Sequence, residues 1–204
     1  MESSLNRSKY FKTIVLTLTA LVITACANTR PVMEWNNEGF TGRLNNILVI
    51  GVTSKSKRRH KFEDKFVAEL ADWNVNAIPS YELIDSSMYL SRKVVENAIK
   101  GQGMGAVIVM RLASIKEKEV YRQPDNQDEN MTYFNYYDKA FQQSNSGSYE
   151  QHKIVALETN LYDTQSGELV WSMQSETMET SQSSQIVEAH IELTIKTLAK
   201  RGLI

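Results

Sequence analysis

The chain has 204 residues, 42% of them hydrophobic, and its 23 Lys and Arg against 24 Asp and Glu leave a net charge of −1. Val, Ile, Leu and aromatic residues are plentiful enough for a sizeable core, and no low-complexity tract marks disorder. The charge balance excludes a general nucleic-acid binder, which carries a basic surplus, and leaves room only for a local basic patch.

The chain opens with Arg7, Lys9 and Lys12, then the apolar run Ile14 to Ile23, then small residues. Charge, a short apolar stretch and small residues, in that order, are the signature of an export signal. The run is about ten residues and interrupted by Thr, whereas a permanent span needs about 18 or more. Cys26 is the only cysteine, so it has neither a disulfide partner nor a fellow thiol for a metal site. Ile23-Thr24-Ala25-Cys26 resembles the lipobox of bacterial lipoproteins. The resemblance implies that residues 1–25 are a removed leader and that Cys26 carries the lipid, a palmitate-type anchor. Ala27 follows where an Asp would favour inner-membrane retention, which implies the periplasmic face of the outer membrane. Loss of the leader removes three cations and Glu2, moving the charge to about −3.

Residues 26–43 are polar and irregular and read as a lipidated tether, with Trp35 and Phe40 free to pack back. Residues 44–204 read as one periplasmic domain. Its first strand is Asn46 to Val52, a continuous apolar run suited to burial on both faces. A basic loop, Lys55 to Lys61, follows. Phe62, Phe66, Val67, Leu70 and Trp73 then recur at helical spacing. A short strand near Asn76 to Ile84 contains Pro79, which suits an edge. A second helix spans roughly Met88 to Lys100, with Gly101 as its stop. Gly105 to Leu112 reads as the most buried strand.

From about Lys116 to His152 the apolar pattern collapses into a polar, Tyr-rich insert. Val155, Leu157, Thr159 and Leu161 then alternate on a strand, Asp163 to Gly167 make a turn, and Leu169, Trp171 and Met173 begin the return strand. Val187, Ile191, Ile195 and Leu198 line a final helix that Gly202 ends. The order β-α-β-α-β-β-β-α predicts a single compact α/β (α+β) domain, a mixed sheet with packed helices.

With the lipobox, the opening strand Ile47–Val52, the Gly101–Leu112 junction and the hairpin Asn160–Ser172 resemble a group of periplasmic α/β proteins. The group includes the TolB N-terminal domain, CsgG and LpoB. The resemblance implies an envelope address and binding to other envelope components, not a shared activity.

No catalytic constellation is legible. His60, His152 and His190 have no partner at metal-ligand spacing, and His190 lies beside the apolar stripe of the last helix, as a satisfied boundary histidine does. Gly101-Gln102-Gly103-Met104-Gly105 runs from a helix into a strand, the reverse of a phosphate-cradling loop. No metal or cofactor is expected. Two segments are candidate binding sites. Lys55, Lys57, Arg58, Arg59 and Lys61 meet a helix N-terminus and could hold an anion, or form a solvated loop. Tyr121, Tyr133, Phe134, Tyr136, Tyr137, Phe141 and Tyr149 stand among polar residues, where they could anchor an interface or extend the sheet as a hairpin covering its edge. The expectation is a non-enzymatic outer-membrane lipoprotein that acts as a binding module for an envelope protein or polymer. It would contact the membrane through its lipid and would not bind nucleic acid. A self-assembling homo-oligomer of a secretion or surface structure is the alternative, and a cell-wall hydrolase the last.

Overall fold

The computed structural model describes residues 29–85, 88–122, 132–179 and 182–204. They form one mixed sheet, in the order β1-β6-β5-β4-β2-β3, covered by helices on both faces. The strands are β1 (Thr29–Asn36), β2 (Ile47–Val52), β3 (Ala77–Pro79), β4 (Ala106–Arg122), β5 (Ser148–Asp163) and β6 (Leu169–Met178). The helices are α1 (Ser56–Asp72), α2 (Arg92–Ile99), α3 (Tyr133–Ser146) and α4 (Ser183–Lys200). β2 pairs parallel with β3 and β4, and the remaining pairs are antiparallel.

The apolar runs dictate this arrangement. Ile47 to Ile50 of β2 are all buried, as a strand covered on both faces requires. On one face, Phe62, Phe66 and Leu70 of α1 and Ile191, Ile195 and Leu198 of α4 pack onto Val49, Ile108, Leu161, Trp171 and Met173. On the other, Val95 and Ile99 of α2 cover Leu48, Ile50 and Val107. Ser91 caps α2 by accepting from the Val94 amide. Gly101, at φ +76, ends that helix, as the sequence predicts.

Three parts of the sequence reading change. Residues 29–36, expected to belong to an irregular tether, form the edge strand β1 against β6. Glu34 fixes it: its Oε1 accepts from Trp171 Nε1 (3.2 Å) and from Arg201 Nε (2.8 Å), and Arg201 holds the carboxyl below its ordinary range. Phe40 does pack on the core, whereas Trp35 stays about half exposed. The strand expected over Asn76 to Ile84 is shorter, because a 3-10 turn at Ser80–Glu82 ends it. The basic stretch is not a loop, since α1 begins at Ser56.

Because β2 and β6 run in the same direction, α1 and α4, which return from their ends across one face, both begin at the same end of the sheet. β4 and β5 overrun that end. Beyond a bulge between Leu112 and Ser114 they pass the end of β2 and keep β6 as a neighbour as far as the pair Ile154–Met178. They then continue as a two-stranded arm from the pair Glu117–Lys153 to the pair Arg122–Ser148, a span of roughly 17 Å at strand rise.

Candidate functional site

The arm is polar on both faces. Glu117 stands opposite Lys153 and Lys118 opposite His152, and Arg122 Nε lies 2.9 Å from Glu150 Oε2. At its end, the directly opposed Tyr121 and Tyr149 pack with ring centroids 5.4 Å apart. Gly147 lies so close beneath that a Cβ there would fall 2.0 Å from the Tyr121 hydroxyl. Between the two strands sits α3. At 100° per residue, Tyr133, Phe134, Tyr136, Tyr137, Ala140 and Phe141 fall within an arc of about 160°. Asn135 and Asp138 lie outside it. Each of the five α3 rings is more than 60% exposed.

The seven aromatic residues of the insert are therefore brought to one place, the arm and its tip. The hairpin continuation of the sheet is present, but the rings do not cover a sheet edge. The helical period inside the insert was missed from the sequence. Counting Tyr as an apolar face-former at i, i+4 and i+8 (Tyr133, Tyr137, Phe141) is the signal that finds it.

Helical geometry divides the basic stretch. Arg59 and Glu63, one turn apart, point inward and are buried. Glu63 Oε1 accepts from Arg59 Nε (3.0 Å), Ser80 Oγ (2.6 Å) and the Gly51 amide (2.8 Å), and its Oε2 from the Tyr81 amide (3.2 Å). Arg59 Nη2 also donates to Ser80 Oγ at 2.6 Å. The network joins α1 to β2 and to the turn after β3, and every carboxylate oxygen has a donor. Arg59 is thus corrected from anion ligand to structural partner, its charge matched within the fold. Lys55 is the N-cap position of α1 and makes no side-chain cap. Lys57 is exposed. On the flank of α1, the His60 ring stacks on Tyr81 at 4.1 Å. The Tyr81 hydroxyl donates to Asp64 and is pushed up to about 12 by that bond.

Arg58 and Lys61 face a groove of about 680 Å³ between the N-terminal halves of α1 and α4. Its floor is Gly51, Met110, Leu112, Ile115, Val155 and Leu157, with Phe62 and Ile186 on its walls. Gly51 admits the Phe62 ring, for a Cβ there would meet Phe62 Cδ1 at 2.7 Å. Lys65 lies deeper in the groove. Its hydrogen bond to Glu69 holds it above its ordinary range, and Glu188 on the facing helix adds to that. The sequence reading missed this groove, because its floor draws on three strands far apart in the chain.

His190 is a core residue. Its Nδ1 lies 2.6 Å from Ser175 Oγ and its Nε2 2.7 Å from Thr159 Oγ1. Burial drives its pKa down to about 4, so the neutral ring links two strands by hydroxyl partners. Cys26, the leader and the apolar run Ile14 to Ile23 lie outside the described residues.

No family model matches the chain, and no curated protein matches it. Among solved structures it is similar to a PelC dodecamer from Paraburkholderia phytofirmans, with 12% identity and a TM-score of 0.47 over 83% of this chain and 96% of that one. It is also similar to lipoprotein GNA1162 from Neisseria meningitidis, with 12% identity and a TM-score of 0.40 over 76% of this chain and 99% of that one.

Proposed function

We infer that this chain is a non-enzymatic lipoprotein, held through Cys26 on the periplasmic face of the outer membrane, which binds an envelope protein through the aromatic side of α3. One observation carries the reading: five exposed rings share one side of a helix at the end of an arm. Rings on an amphipathic helix at i and i+4 positions are the anchors by which such a helix enters a partner's hydrophobic groove. Aromatic side chains bury large area at small entropic cost. Tethering by lipid raises the effective concentration of the module near a membrane-bound partner. The leader and the hairpin Asn160–Ser172 support a place in the periplasmic group of the TolB N-terminal domain, CsgG and LpoB.

The test is crosslinking in intact cells from a photoreactive residue at Tyr136, followed by mass spectrometry. One dominant envelope protein is expected. Replacing Tyr137 and Phe141 by Ala should lower its yield about tenfold or more, the loss of a hot-spot pair. An unchanged yield in that variant, or no adduct, overturns the reading.

A second reading, self-assembly, is favoured by β1. Its outer edge is unpaired in the sheet order, and Val32, Met33 and Trp35 are each more than 40% exposed. Such an edge is a template for pairing with another strand. Crosslinks confined to copies of the chain would select it.

A further inference from the structure

The groove between α1 and α4 is chemically divided. Its floor is aliphatic and continues along β4 just past the end of β2, where Leu112 and Ile115 are 50% and 58% exposed. The floor is the face of the sheet where β4 and β5 run on past the end of β2. A hydrocarbon chain needs only the apolar contact that such a face offers. About 680 Å³ lies within the usual range of small-ligand sites, roughly 300–1,000 Å³.

The mouth is positive for two separate reasons. Arg58 and Lys61 line it, and among the described residues neither has an ion-pair partner. Both helices that form the walls begin there, and neither has a side-chain cap or an acidic residue in its first turn. Two helix N-termini with free amides add their positive ends to the two cations. Glu179 and Glu188 lie on the α4 side, where Glu188 acts through space on Lys65, whose ion pair is with Glu69.

The geometry points to a binding site for the acyl chain of an anionic membrane lipid. The chain lies on Leu112, Ile115 and Leu157, and the phosphate sits at Arg58 and Lys61. The register places the source of the ligand. Thr29 pairs with Thr177, Thr177 with Val155, and Val155 with Ile115, so one row crosses the sheet from the start of β1 to the groove. Cys26 is three residues before Thr29. The claim that the mouth faces a bilayer rests on the lipoprotein reading; the claim that the groove takes an anionic lipid does not.

The full-length chain is reconstituted in phosphatidylcholine vesicles containing phosphatidic acid with a diazirine near the acyl terminus. It is illuminated, and adducts are mapped by peptide mass spectrometry. Adducts are expected to concentrate on peptides carrying Leu112, Ile115 and Leu157. They should fall about tenfold in an Arg58→Glu, Lys61→Glu variant, the loss of two charge-assisted contacts. They should fall similarly when the diazirine lipid is phosphatidylcholine. Ile115→Asp should abolish labelling of its neighbours in the groove. Adducts spread evenly over the surface, or indifferent to the headgroup, overturn the proposal. Labelling of the groove only in Cys26→Ser would mean that the chain's own acyl group occupies it, which overturns the free-lipid site and leaves the anchor standing. Groove labelling in the parent chain, with no lipid found on Cys26, would support the site and remove the anchor.

Discussion

His190 shows how a single residue ties the core to pH. Its ring is buried between Thr159 of β5 and Ser175 of β6, and burial lowers its pKa from 6.5 to about 4. In the unfolded chain the imidazole takes up its proton near 6.5, while in the folded chain it resists until about 4. The unfolded state therefore binds more protons throughout that window. The contribution is complete above pH 6.5 and is lost progressively as pH falls toward 4. A shift of that size corresponds to about 3 kcal/mol. The thermal midpoint should drop markedly between pH 7 and pH 4.5, and His190→Gln should drop much less over the same interval. Equal drops in the two proteins would show that other groups control the acid limb. The sequence placed His190 at the border of an apolar stripe; its two hydroxyl partners lie on strands whose register only the folded sheet supplies.

The arm is an element whose loss the core should tolerate. Arg122 and Ser148 are directly opposed, so replacing residues 123–147 by Asn-Gly would close β4 and β5 with a tight hairpin turn. Its rings are exposed and it adds nothing to either hydrophobic cluster. The thermal midpoint is expected to change by no more than about 2 °C, no more than the effect of losing about 1 kcal/mol in a domain of this size, while crosslinking to the partner disappears. A large fall would make the arm part of the fold. The same contrast explains what the sequence could convey about elements. β2, α1, the β5–β6 hairpin and α4 bury whole faces, and their apolar residues recur at the period of the structure they form. β1 does not, because its bulge between Pro31 and Met33 breaks the alternation and its hold on the sheet comes from Glu34 reaching Trp171 and Arg201, remote in sequence. α3 escaped because its face is built of Tyr, and because no core selects that face. In the basic stretch, composition alone could not separate Arg59 from Arg58. One residue of rotation on α1 sends the first to Glu63 and the second to the groove.

At the scale of the molecule, one end collects the candidate binding features. The starts of α1 and α4, the groove mouth, the arm and the first residue of β1 all lie there, whereas the β5–β6 turn and the end of α4 lie at the other. The proposed anchor then constrains orientation. The three residue steps from Cys26 to Thr29 span at most about 10 Å, so the arm end must face the bilayer closely. An arm of roughly 17 Å cannot stand off in that direction. Its charged faces, with Glu117, Lys118 and Glu119 on β4 alone, exclude burial in hydrocarbon. It must therefore run along the surface, presenting α3 to a partner at headgroup level. Cys26 is the only cysteine, and acylation consumes its thiol, so one added cysteine can be labelled selectively. A fluorophore on Tyr136→Cys should be quenched strongly by a headgroup-attached quencher in vesicles carrying the lipidated protein. The same fluorophore on Lys200→Cys, at the far end of a helix about 27 Å long, should be quenched weakly. The reverse order would mean that the body sits on the membrane by its other end, and that the N-terminal lipid does not set its orientation.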